Sequence, residues 1–299
     1  MLHLAIAFDN NYLVPFYALA CSIFENNKKT AFHFHCIIRN IPATEKQNII
    51  QYLKENNSII SFYEVDETLI EKFVVMSHWN TSVYYKMFFP ILVPQNIEKL
   101  LYLDTDMLVI NSLQNLYNTD LEGFTLAAVY DNYVKIQPDL DIMEEGKYFN
   151  SGMMLINIKK WNINEISQKA ISFLQNHSEK IKFVDQCALN AVLKDNWLRV
   201  NEKFNLIYSY LPQDSTQTQL QNFVKDKVII HFTLQRPWNF LCKNRLRYLY
   251  QYYLKKSPKK NENPIIDFHF NKLISFFKIR VLEYYLDSPT IQKIWRKIK

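Results

Sequence analysis

Two aspartates, Asp104 and Asp106, directly follow the apolar run Lys99–Leu103. Alternate residues of an extended backbone point the same way, so the two carboxylates can converge. Such close carboxylates repel each other unless a cation joins them. A hard divalent ion with oxygen ligands, Mn²⁺ or Mg²⁺, suits this position and could also bridge a diphosphate. The pair therefore predicts a metal site, and the alternative is a solvated cap at the end of a strand.

A second pair with the same spacing, Asp139 and Asp141, follows Pro138 in a polar stretch. The chain has 14 aspartates in 299 residues, so this spacing arises easily by chance. Position must therefore separate the two pairs. Ligands bind beyond the carboxyl ends of strands in open α/β sheets, which favours the first pair. We predict that the second pair lies in a solvated loop.

Two further side chains could join the first pair. His231 ends the apolar run Val228–Phe232, and an imidazole beside two carboxylates would favour Mn²⁺ over Mg²⁺. A histidine there could equally be a hydrogen-bonded core residue. Arg236 follows shortly after, and a guanidinium can clamp a phosphate with two hydrogen bonds. The alternative for Arg236 is a plain surface charge.

Polar residues also stand at two predicted junctions between a strand or loop and a helix. Asp9, Asn11 and Tyr12 follow the first strand, where they could cap the helix or grip a base or ribose. Asp185 and Gln186 open a later helix, where the acid could simply complement the helix dipole. Both alternatives stay open at this point.

Apolar periodicity predicts the elements that position these side chains. Strands are predicted at 3–8, 32–39, 59–65, 99–103, 125–131, 148–158 and 228–232, and helices at 12–27, 43–55, 80–92, 164–175 and 185–194. This alternation predicts an α/β fold with a mostly parallel sheet covered on both faces. The chain has three glycines, which excludes a G-x-G-x-x-G motif and a P-loop.

Composition and charge suggest a compartment and a division of the chain. Four widely spaced cysteines predict buried thiols in a reducing compartment, and no apolar run is long enough to span a membrane. The N-terminus has no basic segment, so we expect a strand there and a cytoplasmic protein. Residues 241–299 carry 14 Lys/Arg against 4 Asp/Glu, and 244–256 predicts a basic, aromatic helix. We predict a body at 1–240 and a helical tail at 241–299.

Taken in order, six segments resemble the retaining glycosyltransferases of family 8, in particular bacterial lipooligosaccharide α-galactosyl- and α-glucosyltransferases. The matching segments are Ile-Ala-Phe-Asp-Asn-Asn-Tyr (6–12), Ser-Val-Tyr-Tyr-Lys-Met-Phe-Phe-Pro (82–90), Leu-Leu-Tyr-Leu-Asp-Thr-Asp-Met-Leu-Val (100–109), Tyr-Phe-Asn-Ser-Gly-Met-Met-Leu-Ile-Asn-Ile-Lys-Lys-Trp (148–161), Asp-Gln-Cys-Ala-Leu-Asn (185–190) and His-Phe-Thr-Leu-Gln-Arg-Pro-Trp (231–238). The resemblance covers residues 1–240. It implies a GT-A fold, which is Rossmann-like with a mixed sheet, a UDP-hexose donor and transfer with retention of the α-configuration.

The resemblance also implies roles for individual residues. Mn²⁺ (or Mg²⁺) would be held by Asp104, Asp106 and His231. The donor would be held by Ala7, Asp9, Asn11, Tyr12, Lys86, Asp104, Thr105, Asn150 and Arg236. Gln186 would lie under the anomeric carbon with Asp185 beside it, and Asp131 would meet the acceptor. A poor nucleophile such as glutamine favours front-face transfer, whereas Asp185 could serve a double displacement.

Several positions depart from the family pattern. Lys86 stands where arginine is usual, and Cys187 where a second aspartate is common. The last motif is one residue shorter, with Arg236 in place of lysine and Leu234 near a glycine that lets backbone approach phosphate, so we expect the diphosphate loop to be built differently. Two other functions therefore stay open: a metal-dependent diphosphate hydrolase or nucleotidyltransferase, and a catalytically weak sugar-nucleotide-binding relative.

The implied acceptor is a saccharide or glycolipid of lipopolysaccharide outer-core synthesis. An enzyme that modifies a glycolipid would work at the inner face of the cytoplasmic membrane. The basic, aromatic tail suits an anionic membrane surface, and we expect no nucleic-acid partner.

Overall fold

The computed structural model describes residues 1–70, 73, 81–263, 265–288 and 290–292. The described strands are β1 (Leu2–Asp9), β2 (Phe32–Arg39), β3 (Ile59–Tyr63), β4 (Lys99–Leu103), β5 (Met107–Val109), β6 (Leu126–Tyr130), β7 (Phe149–Asn157), β8 (Trp197–Val200) and β9 (Ile229–His231). The described α-helices are α1 (Leu13–Asn26), α2 (Ala43–Glu55), α3 (Phe89–Leu92), α4 (Gln114–Tyr117), α5 (Ile158–Ile163), α6 (Ile166–Asn176), α7 (Val184–Leu193), α8 (Gln217–Phe223), α9 (Arg247–Lys256) and α10 (Leu273–Asp287).

Seven of the described strands form one sheet in the order β3-β2-β1-β4-β7-β6-β8. Each neighbouring pair is parallel except the two pairs that include β7, which runs antiparallel to β4 and to β6. The predicted mixed, mostly parallel α/β sheet is therefore confirmed. Because β1 and β4 are parallel neighbours, their carboxyl ends meet at one edge and bring Asp9 close to the turn that carries Asp104.

The central strands are buried on both faces, which explains why they read as continuous apolar runs. In β1, Leu4, Ile6 and Phe8 pack into the core on one side of the sheet. Ala5 and Ala7 pack into the core on the other side. Such strands are rigid supports for the loops that follow them.

Some elements differ from the sequence-based expectation. The predicted strand 228–232 does form (β9), but it pairs with β5 in a separate two-stranded sheet and does not join the main one. The predicted helix 80–92 is a 3₁₀ helix over Thr81–Met87 followed by the short α3, with Pro90 in the first turn, and position 80 lies outside the described residues. Strands β5 and β8 were not predicted, because segments of three and four residues are too short to show a clear alternation of apolar and polar side chains.

The four cysteines are buried free thiols, as predicted. The basic tail divides into two unlike parts. Helix α9 buries Tyr250, Tyr253 and Leu254 in a core that includes Ala18 and Cys21 of α1. Helix α10 has no buried residue along its length. Within the described residues, no helix combines the length and apolarity needed to cross the membrane.

Candidate active site

A cavity of about 320 Å³ opens at the carboxyl ends of β1 and β4. Twelve of the residues predicted for the site line it: Ala7, Tyr12, Lys86, Asp104, Thr105, Asp106, Asp131, Asn150, Asp185, Gln186, His231 and Arg236. These residues come from most of the length of the body. The fold therefore gathers into one place the side chains that the sequence presents separately.

Two of the predicted donor residues do not line this cavity. The buried Asp9 carboxylate accepts a hydrogen bond from the Asn11 backbone N–H at 2.9 Å, so it caps the turn that starts the first helical segment. The Asn11 side chain is exposed and borders a smaller adjacent cavity with Trp238.

Asp104, Asp106 and His231 form a compact cluster at one wall of the cavity. One ligand atom from each lies within 4.8 Å of the other two. The Nε2 atom of His231 is 3.1 Å from Asp106 Oδ1 and 3.8 Å from Asp104 Oδ2. The aspartates follow β4, and the histidine ends β9, the strand that pairs antiparallel with β5 just beyond them. Two carboxylates and one imidazole make a donor set that suits Mn²⁺.

The imidazole of His231 is oriented by a second polar residue. Its Nδ1 lies 2.9 Å from Oδ1 of the buried Asn205, whose Nδ2 donates to Asn150 Oδ1 at 2.9 Å. Because the Asn205 oxygen is an acceptor, a proton on Nδ1 can donate to it, and in the neutral ring that carries only this proton the Nε2 lone pair faces the aspartates. This is the tautomer that can bind a metal.

Gly152 provides the space beside this cluster. A Cβ at this position would lie 2.3 Å from His231 Cε1 and 2.9 Å from Asp104 Oδ2. The backbone of Gly152 also accepts a hydrogen bond from the Asp104 N–H at 2.8 Å, so strand β7 passes directly under the cluster. The residues present therefore fit a bound divalent ion, and a glycine is required for it.

Lys86 bridges two carboxylates at the floor of the cavity. Its buried Nζ lies 3.3 Å from Asp104 Oδ1 and 2.9 Å from Asp185 Oδ2. The Tyr102 hydroxyl donates to the same Asp104 Oδ1 at 2.6 Å, which leaves Oδ2 on the His231 side. Burial lowers the pKa of Lys86, but Asp104 and Asp185 outweigh it, so the net pKa is raised. Lys86 is therefore a fixed positive charge.

Arg236 contacts the cluster of Asp104, Asp106 and His231 from the side of Asp106. Its Nε is 3.5 Å from Asp106 Oδ2, and its guanidinium lies 5.5 Å from the centre of the Tyr12 ring. Burial raises the pKa of Asp106, but His231 and Arg236 outweigh it and hold this pKa below its usual range. Asp106 is therefore ionised, and Arg236 is placed on the cavity wall where it could meet an anionic group.

Gln186 is held by hydrogen bonds at both ends of its amide. Its Nε2 donates to Asp131 Oδ2 at 3.0 Å, and its Oε1 accepts from the Ser151 N–H at 3.1 Å. Asn150 donates to the same Asp131 oxygen at 3.1 Å. Neighbouring Asp185 accepts from the Ser151 hydroxyl at 2.7 Å, and burial is the largest of the effects that raise its pKa.

The two other departures from the family pattern have clear surroundings. Cys187 is buried, with its Sγ 3.5 Å from the Tyr148 hydroxyl. Leu234 lines the cavity with a φ of 57°, in the left-handed region that glycine favours. The backbone thus adopts the glycine-like conformation even though the residue is leucine.

Sequence reasoning missed several residues that support the site. Tyr102, Ser151 and Gly152 lie within the matching segments, so their proximity to predicted ligands was a usable signal. Asn205 follows a 3₁₀ turn between β8 and β9 and has no sequence neighbour among the predicted site residues. Its contact with His231 depends on tertiary structure alone.

Comparison with known proteins identifies the family of the chain. The family model described as glycosyl transferase family 8 matches residues 3–242. General stress protein A of Bacillus subtilis is 28% identical over 85% of this chain and 93% of its own. Lipopolysaccharide 1,2-glucosyltransferase of Escherichia coli K12 is 27% identical over 88% of this chain and 80% of its own.

The fold is also similar to solved structures. The crystal structure of galactosyltransferase LgtC in complex with donor and acceptor sugar analogs superimposes with a TM-score of 0.75 at 22% identity, over 92% of this chain and all of that one. The glycosyltransferase GlyE of Streptococcus pneumoniae gives a TM-score of 0.65 at 23% identity, over 93% of this chain and 63% of its own. At these identities the likeness establishes the GT-A fold.

Proposed function

The chain is a member of glycosyltransferase family 8, and on that premise we propose that it transfers a hexose, galactose or glucose, from a UDP-sugar to a saccharide acceptor with retention of configuration. The observation that carries the proposal is the convergence of Asp104 Oδ2, Asp106 Oδ1 and His231 Nε2 on the wall of a cavity at the carboxyl ends of the strands. A diphosphate bound there would meet a divalent cation on one side and Arg236 on the other.

The cluster would hold Mn²⁺ through these three ligands. When bound, the ion supplies Lewis-acid stabilisation of the charge that develops on the UDP leaving group. Arg236 lines the cavity beside Asp106, so its guanidinium could donate hydrogen bonds to the diphosphate oxygens of the UDP leaving group. Ala7, Tyr12 and Thr105 line the cavity where they could contact the nucleotide, and Asp9 would act indirectly by fixing the turn before Tyr12.

Retention fits front-face transfer, in which the acceptor hydroxyl attacks from the side that UDP leaves and gives its proton to the departing diphosphate. The amide of Gln186 is a weaker nucleophile than a carboxylate, and both its oxygen and its nitrogen are engaged in hydrogen bonds. Asp185 is bound by Lys86 and Ser151, which lowers its value as a nucleophile. If Asp185 did form a glycosyl ester, mass spectrometry after UDP-hexose treatment without acceptor would detect it; we expect the unmodified mass.

Asp131, Asn150 and Gln186, which share hydrogen bonds through one Asp131 carboxylate oxygen, would form the acceptor side of the cavity. Such a polar surface suits sugar hydroxyls, and Asp131 could accept a hydrogen bond from one of them. The similarity to lipopolysaccharide 1,2-glucosyltransferases over most of the chain supports an acceptor in lipopolysaccharide or lipooligosaccharide synthesis.

One assay separates this function from its alternatives. The protein is incubated with UDP-galactose or UDP-glucose, Mn²⁺ and a panel of β-galactoside acceptors. Transfer yields a new glycoside and UDP, whereas a diphosphate hydrolase or nucleotidyltransferase yields UMP and a sugar phosphate. Binding of UDP without turnover of either donor would indicate a catalytically weak relative and would contradict the proposal.

We further propose that part of the tail holds the enzyme on an anionic membrane surface. Helix α10 presents a stripe of apolar side chains at helical spacing: Ile274 is 71% exposed, Phe277 61% and Val281 67%. Its opposite face is tied to the body, because Arg247 donates two hydrogen bonds to Glu283 at 2.8 and 2.7 Å. A helix that docks through ion pairs and leaves its apolar face outward suits the interface of a bilayer.

Vesicle sedimentation tests this membrane role. The triple variant Ile274→Ser/Phe277→Ser/Val281→Ser should lose binding to vesicles that contain phosphatidylglycerol and keep turnover of UDP-hexose. Ile163→Ser, at an equally exposed apolar residue on the body, is the matched control. Unchanged binding by the triple variant would contradict the role of α10. It would leave the transferase proposal intact, since the two readouts are independent.

A further inference from the structure

A second cluster of titratable side chains lies toward the amino-terminal ends of β1 and β2. His3 is on β1, and His33 and His35 are on β2, with His3 paired in register with His33. Because His33 and His35 are alternate residues of one strand, both point to the same face of the sheet. Ala7, which lines the cavity, follows His3 by four residues on β1, so His3 lies roughly 13 Å from that part of the cavity.

The inner ring nitrogens of the three histidines converge. His3 Nδ1 is 3.0 Å from His35 Nε2, and one ring nitrogen from each residue lies within 4.8 Å of the other two. Nitrogens bound to one tetrahedral Zn²⁺ at the usual bond length lie about 3.3 Å apart. The rings of His33 and His35 are stacked with their centroids 4.0 Å apart, so the rings would have to turn about their side-chain bonds to direct all three nitrogens at one ion.

The outer ring nitrogens of His33 and His35 contact hydroxyl groups of the neighbouring strand β3. His35 Nδ1 is 2.8 Å from the Tyr63 hydroxyl, and His33 Nε2 is 2.8 Å from Ser61 Oγ. Each hydroxyl can accept a hydrogen bond, so a ring that donates there keeps its proton on the outer nitrogen and can offer the lone pair of the inner nitrogen to a metal ion. Metal-binding histidines usually have such a partner on the nitrogen that does not bind the metal.

Electrostatics favours the neutral form of these imidazoles. Burial, with a contribution from His33 and His3, lowers the pKa of His35 to about 3. Burial is also the largest effect that lowers the pKa of His3 and of His33. Neutral imidazole is the form that binds transition metals, and three nitrogen donors without a carboxylate favour Zn²⁺ over Mg²⁺ or Mn²⁺.

We propose that His3, His33 and His35 form a second metal site, which takes a nitrogen-preferring divalent ion of the Zn²⁺ class and ties β1 to β2. The site is separate from the proposed catalytic cluster in position and in ligand chemistry. Its role is structural, because it joins β1 to β2 near their amino-terminal ends, whereas the cavity opens at the carboxyl ends of the strands. A bound ion therefore adds its binding free energy to the stability of the fold.

Zinc binding to the full chain tests the site. The Asp104→Ala variant removes one ligand of the other cluster, and equilibrium dialysis of this variant should then find one Zn²⁺ per chain. Adding His33→Gln should weaken this binding more than about tenfold, because one ligand is lost. His269→Gln, at an exposed histidine before a 3₁₀ turn, is the control and should leave the affinity unchanged.

A second readout keeps the test independent of variant folding. Crystals of the unsubstituted protein soaked in Zn²⁺ should show an anomalous peak among the three imidazoles at the zinc edge. Zn²⁺ should also raise the Tm of Asp104→Ala and not that of Asp104→Ala/His33→Gln. Absence of the peak, or equal zinc affinity in the presence and absence of His33, would overturn the proposal and show that the histidines serve packing alone.

Discussion

Asp104/Asp106 and Asp139/Asp141 have the same spacing in the sequence and opposite surroundings in the structure. The first pair ends a buried strand and meets His231 on the wall of a cavity. In the second pair, Asp139 lies within a 3₁₀ turn and contacts Lys182 at 2.5 Å, while the exposed Asp141 contacts Lys194 at 3.4 Å. Each of the latter carboxylates is matched by its own surface lysine. An Asp-x-Asp pair therefore needs tertiary partners, here His231, before it can serve as a metal site.

The largest expected difference is in turnover. Asp104→Ala should lower Mn²⁺-dependent kcat/KM for UDP-hexose by at least about 100-fold, because a ligand and the preorganised charge of the site are lost together. Asp139→Ala is the matched control and should change kcat/KM less than about twofold. Steady-state kinetics with both variants measures this contrast. Equal losses in the two variants would show that the comparison between the pairs is mistaken.

Gly152→Ala adds no charge and removes no ligand, so it tests the geometry of the cluster alone. The new methyl group would meet His231 and Asp104, and overpacking of this kind costs about 1–3 kcal/mol, up to roughly 100-fold in Mn²⁺ affinity. Electron paramagnetic resonance of free Mn²⁺ measures the affinity directly. At Gly123 a Cβ would meet open space, so Gly123→Ala should cost stability and leave Mn²⁺ affinity unchanged. Normal Mn²⁺ affinity in Gly152→Ala would place the ion elsewhere.

Substitution of Asn205 tests the contribution of His231, a partner that Asp104/Asp106 has and Asp139/Asp141 lacks. Asn205→Leu removes the acceptor that fixes the proton on His231 Nδ1, so Mn²⁺ affinity should fall about 10–100-fold. Asn205→Asp keeps an oxygen at the same place and should bind Mn²⁺ more tightly than the leucine variant. If both variants lose the same affinity, Asn205 contributes packing and does not orient the imidazole.

The smallest effect concerns stability at the second pair. The double variant Asp139→Asn/Asp141→Asn loses two exposed ion pairs, and the free energy of unfolding should change by less than about 0.5 kcal/mol. Urea denaturation followed by circular dichroism provides the measurement. A loss several times larger would mean that this loop is held by its aspartates in a way that the contacts do not suggest.

The order and type of the main elements could be predicted from the sequence because long apolar strands and amphipathic helices have strong periods. The pairing of β5 with β9 could not be predicted, since it joins residues more than a hundred positions apart. That pairing is what brings His231 to Asp106. The family pattern and the positions at strand ends predicted that Asp104, Asp106 and His231 lie close together. The sequence could not predict the distances between them or the contact of His231 with Asn205.

Leu234 shows what residue type cannot reveal. It stands near a glycine of the family pattern, and its φ of 57° lies in the left-handed region that glycine favours. A leucine in this region costs roughly 1–2 kcal/mol, which the surrounding fold must offset. The backbone conformation of this residue could not be predicted from its type.

The central claim is retaining transfer from a UDP-hexose, and the release of sugar to water tests it without knowledge of the acceptor. The protein is incubated with UDP-galactose or UDP-glucose and Mn²⁺, and ¹H NMR follows the first hexose released before mutarotation. The account predicts UDP and the α-anomer, lost in Asp104→Ala and kept in Asp139→Ala. Release of the β-anomer first, or of UMP and a sugar phosphate, would contradict it.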